Sequence, residues 1–385
     1  MVFDKIKNFS GLKDLSSLGA ANVIGSGISA IFWFYVASLL GEEKYGEVSY
    51  LLAIGIIAGV FSSIGSGYTT TVYTAKKVNI VPVLSVLSIT ISLVSAVVIY
   101  LILENIAVSL YVIGYVIFNI VQAELLGEKK YQKYSKIAIL QKFLLVSFAI
   151  PIYFVMDTFG IILGLALSFF PFLFILIQKI QQNKVDFSVI KPRIGFMMNS
   201  YGVDITKSLA GNIDKLIIAP MLGFAILGNY QLGLQFLMLL SILPSIVLQY
   251  TLPQDASGSF KPQLKKITVL ISVIFGVIGI ILSPIIVPYF FPQYVEAVII
   301  IQIISIAIIP RSISSMFISK FLGIEKSKFV IIGIILYLAT QIPLIFLLGD
   351  LFSVYGIAAA LVIAETIQAG FFLSINRIQG NYENN

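Results

Sequence analysis

Apolar runs of about 20 residues, each long enough to cross a hydrocarbon core as a helix, follow one another along this chain with only short polar breaks between them. The pattern predicts spans at Leu18–Leu40, Glu47–Tyr73, Ile80–Leu103, Ile106–Leu126, Ser135–Met156 and Thr158–Ile180. Six more follow at Ser200–Leu222, Leu227–Leu252, Ile267–Phe291, Val295–Ile318, Lys328–Leu348 and Phe352–Ile375. The first span runs too long and starts too late for a cleaved signal peptide, and reads as an uncleaved anchor. The longest polar break, residues 181–199 with Pro192, separates the two sets of six. It predicts an N-terminal lobe over 1–180, a cytoplasmic linker over 181–199 and a C-terminal lobe over 200–385.

Sliding the second set onto the first by 182 residues aligns Gly41 with Gly223 and Gly46 with Gly228 in one ungapped register. Ser26 and Ser208, Leu40 and Leu222, and Tyr68 and Tyr250 fall together under the same shift. An even number of spans per half makes such repeats parallel, related by an axis along the membrane normal. The expected fold class is therefore an all-α membrane protein, twelve transmembrane helices in two parallel six-helix repeats around a central cavity. That architecture suits alternating access.

Composition sharpens the picture. Apolar residues make up 58% and charged residues 11% of the 385, against about 45–50% and about 25% in soluble domains. Little remains for a soluble domain. The chain has no histidine and no cysteine, which excludes Ser-His nucleophile pairs, HExxH zinc sites, thiolate metal sites and disulfides. The formal net charge of +7 would suggest nucleic acid in a soluble protein. Here the basic residues collect on alternate loops: Lys5, Lys7 and Lys13; Lys76 and Lys77; Lys129, Lys130, Lys133 and Lys136; Lys179, Lys184, Lys191 and Arg193. The same side continues with Lys261, Lys265 and Lys266; Lys320, Lys326 and Lys328; and Arg377, whereas the opposite loops hold Lys44. The positive-inside rule puts both termini in the cytoplasm and accounts for the charge without a nucleic-acid partner.

The charges left inside spans are the candidate chemistry, because each costs at least about 2.5–3.5 kcal/mol at the bilayer centre unless it faces a bundle interior or water. Asp204, Lys207, Asp214 and Lys215 all lie on the seventh span, within an arc of about 100° at helical spacing. Two readings stand: self-neutralised pairs that fix packing, or the lining of a cavity. Lys142 and Arg311 lie about 10 Å, by helical rise, from the inner ends of their spans. Lys142 either snorkels to the headgroups or lines a cavity, and Arg311 follows Pro310 among Ser312, Ser314 and Ser315. Glu365, mid-span, is either a proton or cation site or a buried hydrogen-bonded carboxyl.

Two segments, Leu39-Leu-Gly-Glu-Glu-Lys-Tyr-Gly46 and Asn212 to Tyr230 with its Asp214-Lys215, Leu222-Gly223 and Gly228-Asn-Tyr230, resemble the polysaccharide biosynthesis transporters. These are Wzx-like flippases of the multidrug/oligosaccharidyl-lipid/polysaccharide exporter superfamily. The resemblance implies twelve to fourteen helices in two bundles in the cell membrane. It implies export of an undecaprenyl- or dolichyl-diphosphate-linked oligosaccharide to the outer leaflet, and partner proteins of glycan assembly. Asp214 and Lys215 match the family's acidic-basic pair. Lys215 by that match, and Lys207, Arg311 and Lys142 on burial alone, are expected to bind the anionic substrate; Asp214 by the match, and Asp204 and Glu365 on burial, are expected to bind a coupling monovalent cation or proton. With no GxxxxGK[ST] pattern, the energy is expected from an ion gradient or the membrane potential, and no cofactor is expected. The alternatives are a cation-coupled multidrug antiporter of the same superfamily, which favours carboxylates over lysines in its cavity, and a membrane-embedded glycan polymerase or ligase, for which the outer loops leave little room.

Overall fold

The computed structural model describes residues 10–256, 261–294, 296–324 and 326–383. Lys5, Lys7 and Val295 lie outside them. Among the described residues there is no strand, as expected where no water is present to satisfy a sheet edge. The helices are α1 Ser10–Ser63, α2 Ser66–Ala75, α3 Val81–Leu103, α4 Ile106–Gly127, α5 Tyr131–Leu167, α6 Leu173–Gln182 and α7 Ile194–Leu222. They continue with α8 Phe224–Leu240, α9 Ile242–Ala256, α10 Pro262–Phe290, α11 Ala297–Ile306, α12 Ile308–Gly323 and α13 Ser327–Glu383. Seven stretches are long and apolar enough to span a membrane, or eight if α8 and α9, bent by 47°, form one span. The protein is a multi-pass membrane protein.

Three of these stretches, of 41, 52 and 51 residues, are about twice the length of a single crossing. Each is broken by one residue in a left-handed conformation: Gly41 (φ 74°), Asp157 (φ 55°) and Ser353 (φ 51°). The breaks at Gly41 and Asp157 fall between spans read from sequence, whereas Ser353 lies one residue inside the span read as Phe352–Ile375. Elsewhere the structure corrects the reading. The span Glu47–Tyr73 is interrupted at Ile64 and Gly65, both at positive φ. Leu227–Leu252 is divided at Ser241 and Val295–Ile318 at Ala307. Thr158–Ile180 is likewise broken between Leu167 and Leu173. The turns at Ser241, Ala307 and 168–172 lie inside apolar runs, where hydropathy carries no signal, whereas the one at Ile64 and Gly65 sits in a run of serines and glycines that marks a turn.

The chain forms two compact units. The first takes the described residues up to Ser29 with Leu51–Ser208, and the second takes Ala30–Tyr50 with Leu209–Asn385. This partition differs from the division read from sequence in three places: residues 30–50 join the second unit, and both the linker 181–199 and residues 200–208 join the first. In the first unit, α4 is the most enclosed helix. Val116, Ile117, Ile120 and Val121 pack against Ile137 of α5 and against Phe172 and Leu176, and Asn105 caps the helix by accepting from the amides of Ala107 and Val108. In the second unit, Ile218, Leu227, Tyr230 and Leu234 pack with Ile300, Ile304, Ile357 and Leu361. By contrast, α3 and α10 present Val94, Val97, Leu101, Leu270, Ile274 and Ile285 outward. Apolar faces of that extent are tolerable against lipid and not against water.

Candidate functional site

The four charges of α7 divide between the units. Asp204 and Lys207 belong to the first, and Asp214 and Lys215 to the second. A single stripe on the helix thus becomes two different environments.

In the first unit, Asp204, Lys207 and Ser208 line a cavity of about 260 Å³ with Ile56, Val60 and Ser63 of α1 and Tyr115 and Asn119 of α4. Glycines bring these helices together. A β-carbon on Gly55 or Gly59 would stand 2.7 or 2.6 Å from the ring of Tyr111 or Tyr115, so the i, i+4 glycines of α1 form a notch for the i, i+4 tyrosines of α4. Tyr115 and Asn119 stand one helical turn apart on α4. Ser63 and Ser208 are buried, Asp204 is half-buried and Lys207 is exposed. The Lys207 ammonium donates to the Tyr68 hydroxyl at 3.0 Å. Among the described residues, no carboxylate lies within ion-pair distance of it.

The second unit holds the other two pairs. Asp214 accepts through Oδ1 from the Lys215 amide at 2.8 Å and through Oδ2 from the Tyr230 hydroxyl at 3.0 Å. Residues one apart on a helix do not face each other; accordingly Lys215 Nζ reaches Asp214 only at 3.4 Å and donates to the Gly211 carbonyl at 2.7 Å. Arg311 on α12 grips Oε1 of Glu365 on α13 with Nε at 2.8 Å and Nη2 at 2.6 Å. Tyr230 and Tyr337 stand within electrostatic reach of Asp214 and Arg311. Two acids and two bases leave this cluster neutral.

Lys142 joins neither group. It is half-buried on α5 and has no hydrogen-bond or ion-pair partner among the described residues. Sequence reasoning missed Tyr68, Tyr115, Asn119 and Tyr230. The available signal was the four-residue spacing of Tyr111, Tyr115 and Asn119 on α4, which matches that of Gly55 and Gly59 on α1. It also missed Asp255, fully buried and bound to Lys265 and Ser319. Among the described residues, no cluster of carboxylates could hold a metal ion.

Residues 100–261 match a family model described as polysaccharide biosynthesis protein. That stretch includes the second of the two segments that carry the resemblance read from sequence. The lipid II flippase MurJ in an inward closed conformation shares the fold at a TM-score of 0.79, with 14% identity over 94% of this chain and 87% of that one. The chain has the fold of the MOP-superfamily transporters. An inward-facing multidrug resistance MATE family transporter of that superfamily superposes at 0.72, with 16% identity over 95% of this chain and 96% of its own. A MOP superfamily transporter from Pyrococcus furiosus Vc1, described as having a binding pocket of reverse polarity, superposes at 0.63 with 13% identity over 95% of each chain. No curated protein sequence matches the chain. The fold is one used by transporters and flippases.

Proposed function

We propose that the protein is a flippase, not an enzyme, that carries a polyprenyl-diphosphate-linked oligosaccharide from the cytoplasmic to the outer leaflet by alternating access. The reading takes the chain as twelve crossings in two parallel repeats with both termini in the cytoplasm. Dividing the long helices at Gly41, Asp157 and Ser353 supports that count.

One observation carries the substrate class. Lys207, on the helix read from sequence as the seventh span, lines a cavity, and its ammonium is held by a neutral hydroxyl rather than a carboxylate. Asp204 of the same helix acts on this ammonium only through space, so the exposed Lys207 is free to meet a diphosphate through charge-assisted hydrogen bonds. Lys142, also without a partner, would extend the cationic path. Arg311 and Lys215 would contribute by exchanging Glu365 and Asp214 for phosphate oxygens. The carboxylates so released, with Asp204, would take the coupling cation or proton. The family match over residues 100–261 favours a glycan substrate. Membrane lipids and glycan-assembly proteins are its expected partners.

The test is translocation of a labelled polyprenyl-diphosphate sugar in vesicles holding the purified chain. Transport reduced at least tenfold by Lys207→Ala supports the proposal, and transport unchanged by Lys207→Ala together with Lys142→Ala overturns the cationic site. The half-buried Asp204 gives the cation-coupled drug antiporter its one point of support. Efflux of a lipophilic cation lost in Asp204→Asn, with no lipid-linked sugar moved, would favour that alternative.

A further inference from the structure

The cavity of the first unit is poorly matched to an anion beyond its mouth. Lys207 is exposed at the opening, while the buried Ser63 and Ser208 and the half-buried Asp204 lie deeper. Asp204 and Lys207 sum to zero charge, so a multiply charged phosphate moving past Lys207 loses to the carboxylate what it gains from the ammonium. A coupling cation faces the converse difficulty, because Lys207 acts electrostatically on the same carboxylate.

What the lining does offer is an even mixture of donors and acceptors. Asp204 has no hydrogen-bond donor among the described residues and so has both oxygens available as acceptors. Asn119 presents an amide, which serves both donors and acceptors. Ser63 donates to the Val60 carbonyl at 2.8 Å, which leaves its oxygen free to accept. The Tyr115 ring is seated in the notch of Gly59 and supplies an apolar platform. A volume of about 260 Å³ falls just short of the ~300–1,000 Å³ of sites that enclose drug-sized ligands. It therefore admits one ring rather than a whole headgroup.

We propose that this cavity is a saccharide subsite, holding one neutral pyranose ring by hydroxyl hydrogen bonds to Asp204, Asn119 and Ser63 and by contact with Tyr115. Resting on the flippase reading, it assigns the ring directly bonded to the diphosphate to this cavity, with Lys207 at the mouth meeting the phosphate. The lipid-linked substrate is then recognised in two parts, charge at the opening and hydroxyl pattern within.

The experiment is saturation-transfer NMR on the full chain in nanodiscs, with a panel of neutral hexoses, 6-deoxyhexoses and N-acetylhexosamines, and phosphorus-31 line broadening of inorganic pyrophosphate as the anion probe. At least one monosaccharide should bind, at least tenfold more weakly in Asn119→Leu and in Asp204→Asn, while pyrophosphate binding changes less than twofold in Asn119→Leu. If Asn119→Leu does not insert, Asp204→Asn and Ser63→Val decide. Three outcomes overturn the subsite: no monosaccharide binds, binding ignores all three substitutions, or only pyrophosphate responds to them. Monosaccharide binding that depends on Asn119, without vesicle translocation, sinks the flippase and keeps the subsite. Translocation with no such dependence sinks the subsite alone.

Discussion

Gly46 and Gly228 interlock. A β-carbon on Gly46 would overlap the Phe224 carbonyl, and one on Gly228 would overlap the Glu42 carbonyl. Glu42 and Phe224 are themselves one pair under the 182-residue shift, so the two contacts are copies of each other. Reciprocity of this kind is the geometry of a two-fold relation, and it is what duplicated loops would produce.

Alanine at Gly46 or Gly228 should therefore lower stability by about 1–3 kcal/mol through overpacking against backbone that cannot move aside. Thermal unfolding of the purified variants in detergent measures it. The double variant should cost less than the two single losses combined, because the two contacts adjoin and moving the loops apart relieves both. Strict additivity would mean that the loops do not share that relief.

Removing one partner of the Arg311–Glu365 pair should cost more than removing both. Arg311→Met leaves the buried Glu365 carboxylate uncompensated, a loss of about 3–5 kcal/mol, whereas Arg311→Met with Glu365→Leu should fold with nearly unchanged stability. On the flippase reading, both fail in vesicle translocation. Full transport by the stable double variant would show that the pair only fixes packing.

Tyr230→Phe removes the hydroxyl that donates to Asp214. A hydrogen bond to a charged group contributes about 1.5–3 kcal/mol, and the loss should appear as a lower unfolding midpoint. Asp214→Asn in the Tyr230→Phe background should add less than it does alone.

Glu128, at the end of α4 and outside the spans, gives a pH signature. Partial burial pushes its carboxyl up, but hydrogen bonds and charge from Lys130 and Lys179 outweigh that and hold it below the usual carboxylate range. Its contribution to stability is present above that range and lost as pH falls through the lowered value. Unfolding midpoints measured from neutral to acid pH should fall less steeply in Glu128→Gln than in the parent chain.

How far the sequence revealed this depends on where each signal lies along the chain. The loop glycines Gly41 and Gly223 were visible because a left-handed turn favours glycine, and both do adopt positive φ. The charged set was visible because charge is rare in apolar spans. Its pairing was not. Arg311 meets Glu365 across 54 residues, and hydropathy cannot report which helices touch. The α7 stripe misled for the same reason: helical spacing placed Asp204 beside Asp214, but it could not show that Ser208 and Leu209 fall in different units. Tyr115 and Asn119 escaped notice because uncharged polar residues in spans are commonplace until a glycine notch opposite gives them a surface.

Asp157 and Ser353 take nearly the same backbone angles, φ 55° with ψ −141° and φ 51° with ψ −139°, although one is an acid and the other a small alcohol. Three residues beyond each comes a glycine, Gly160 or Gly356, pressed against the main chain of Ile152 or Leu348. The requirement at these hairpin corners rests on the peptide backbone, which leaves the side chain free to vary in polarity but not in branching. Glycine or asparagine should be accepted at either position and valine refused, so these corners could drift chemically over evolutionary time while their path in space stayed fixed.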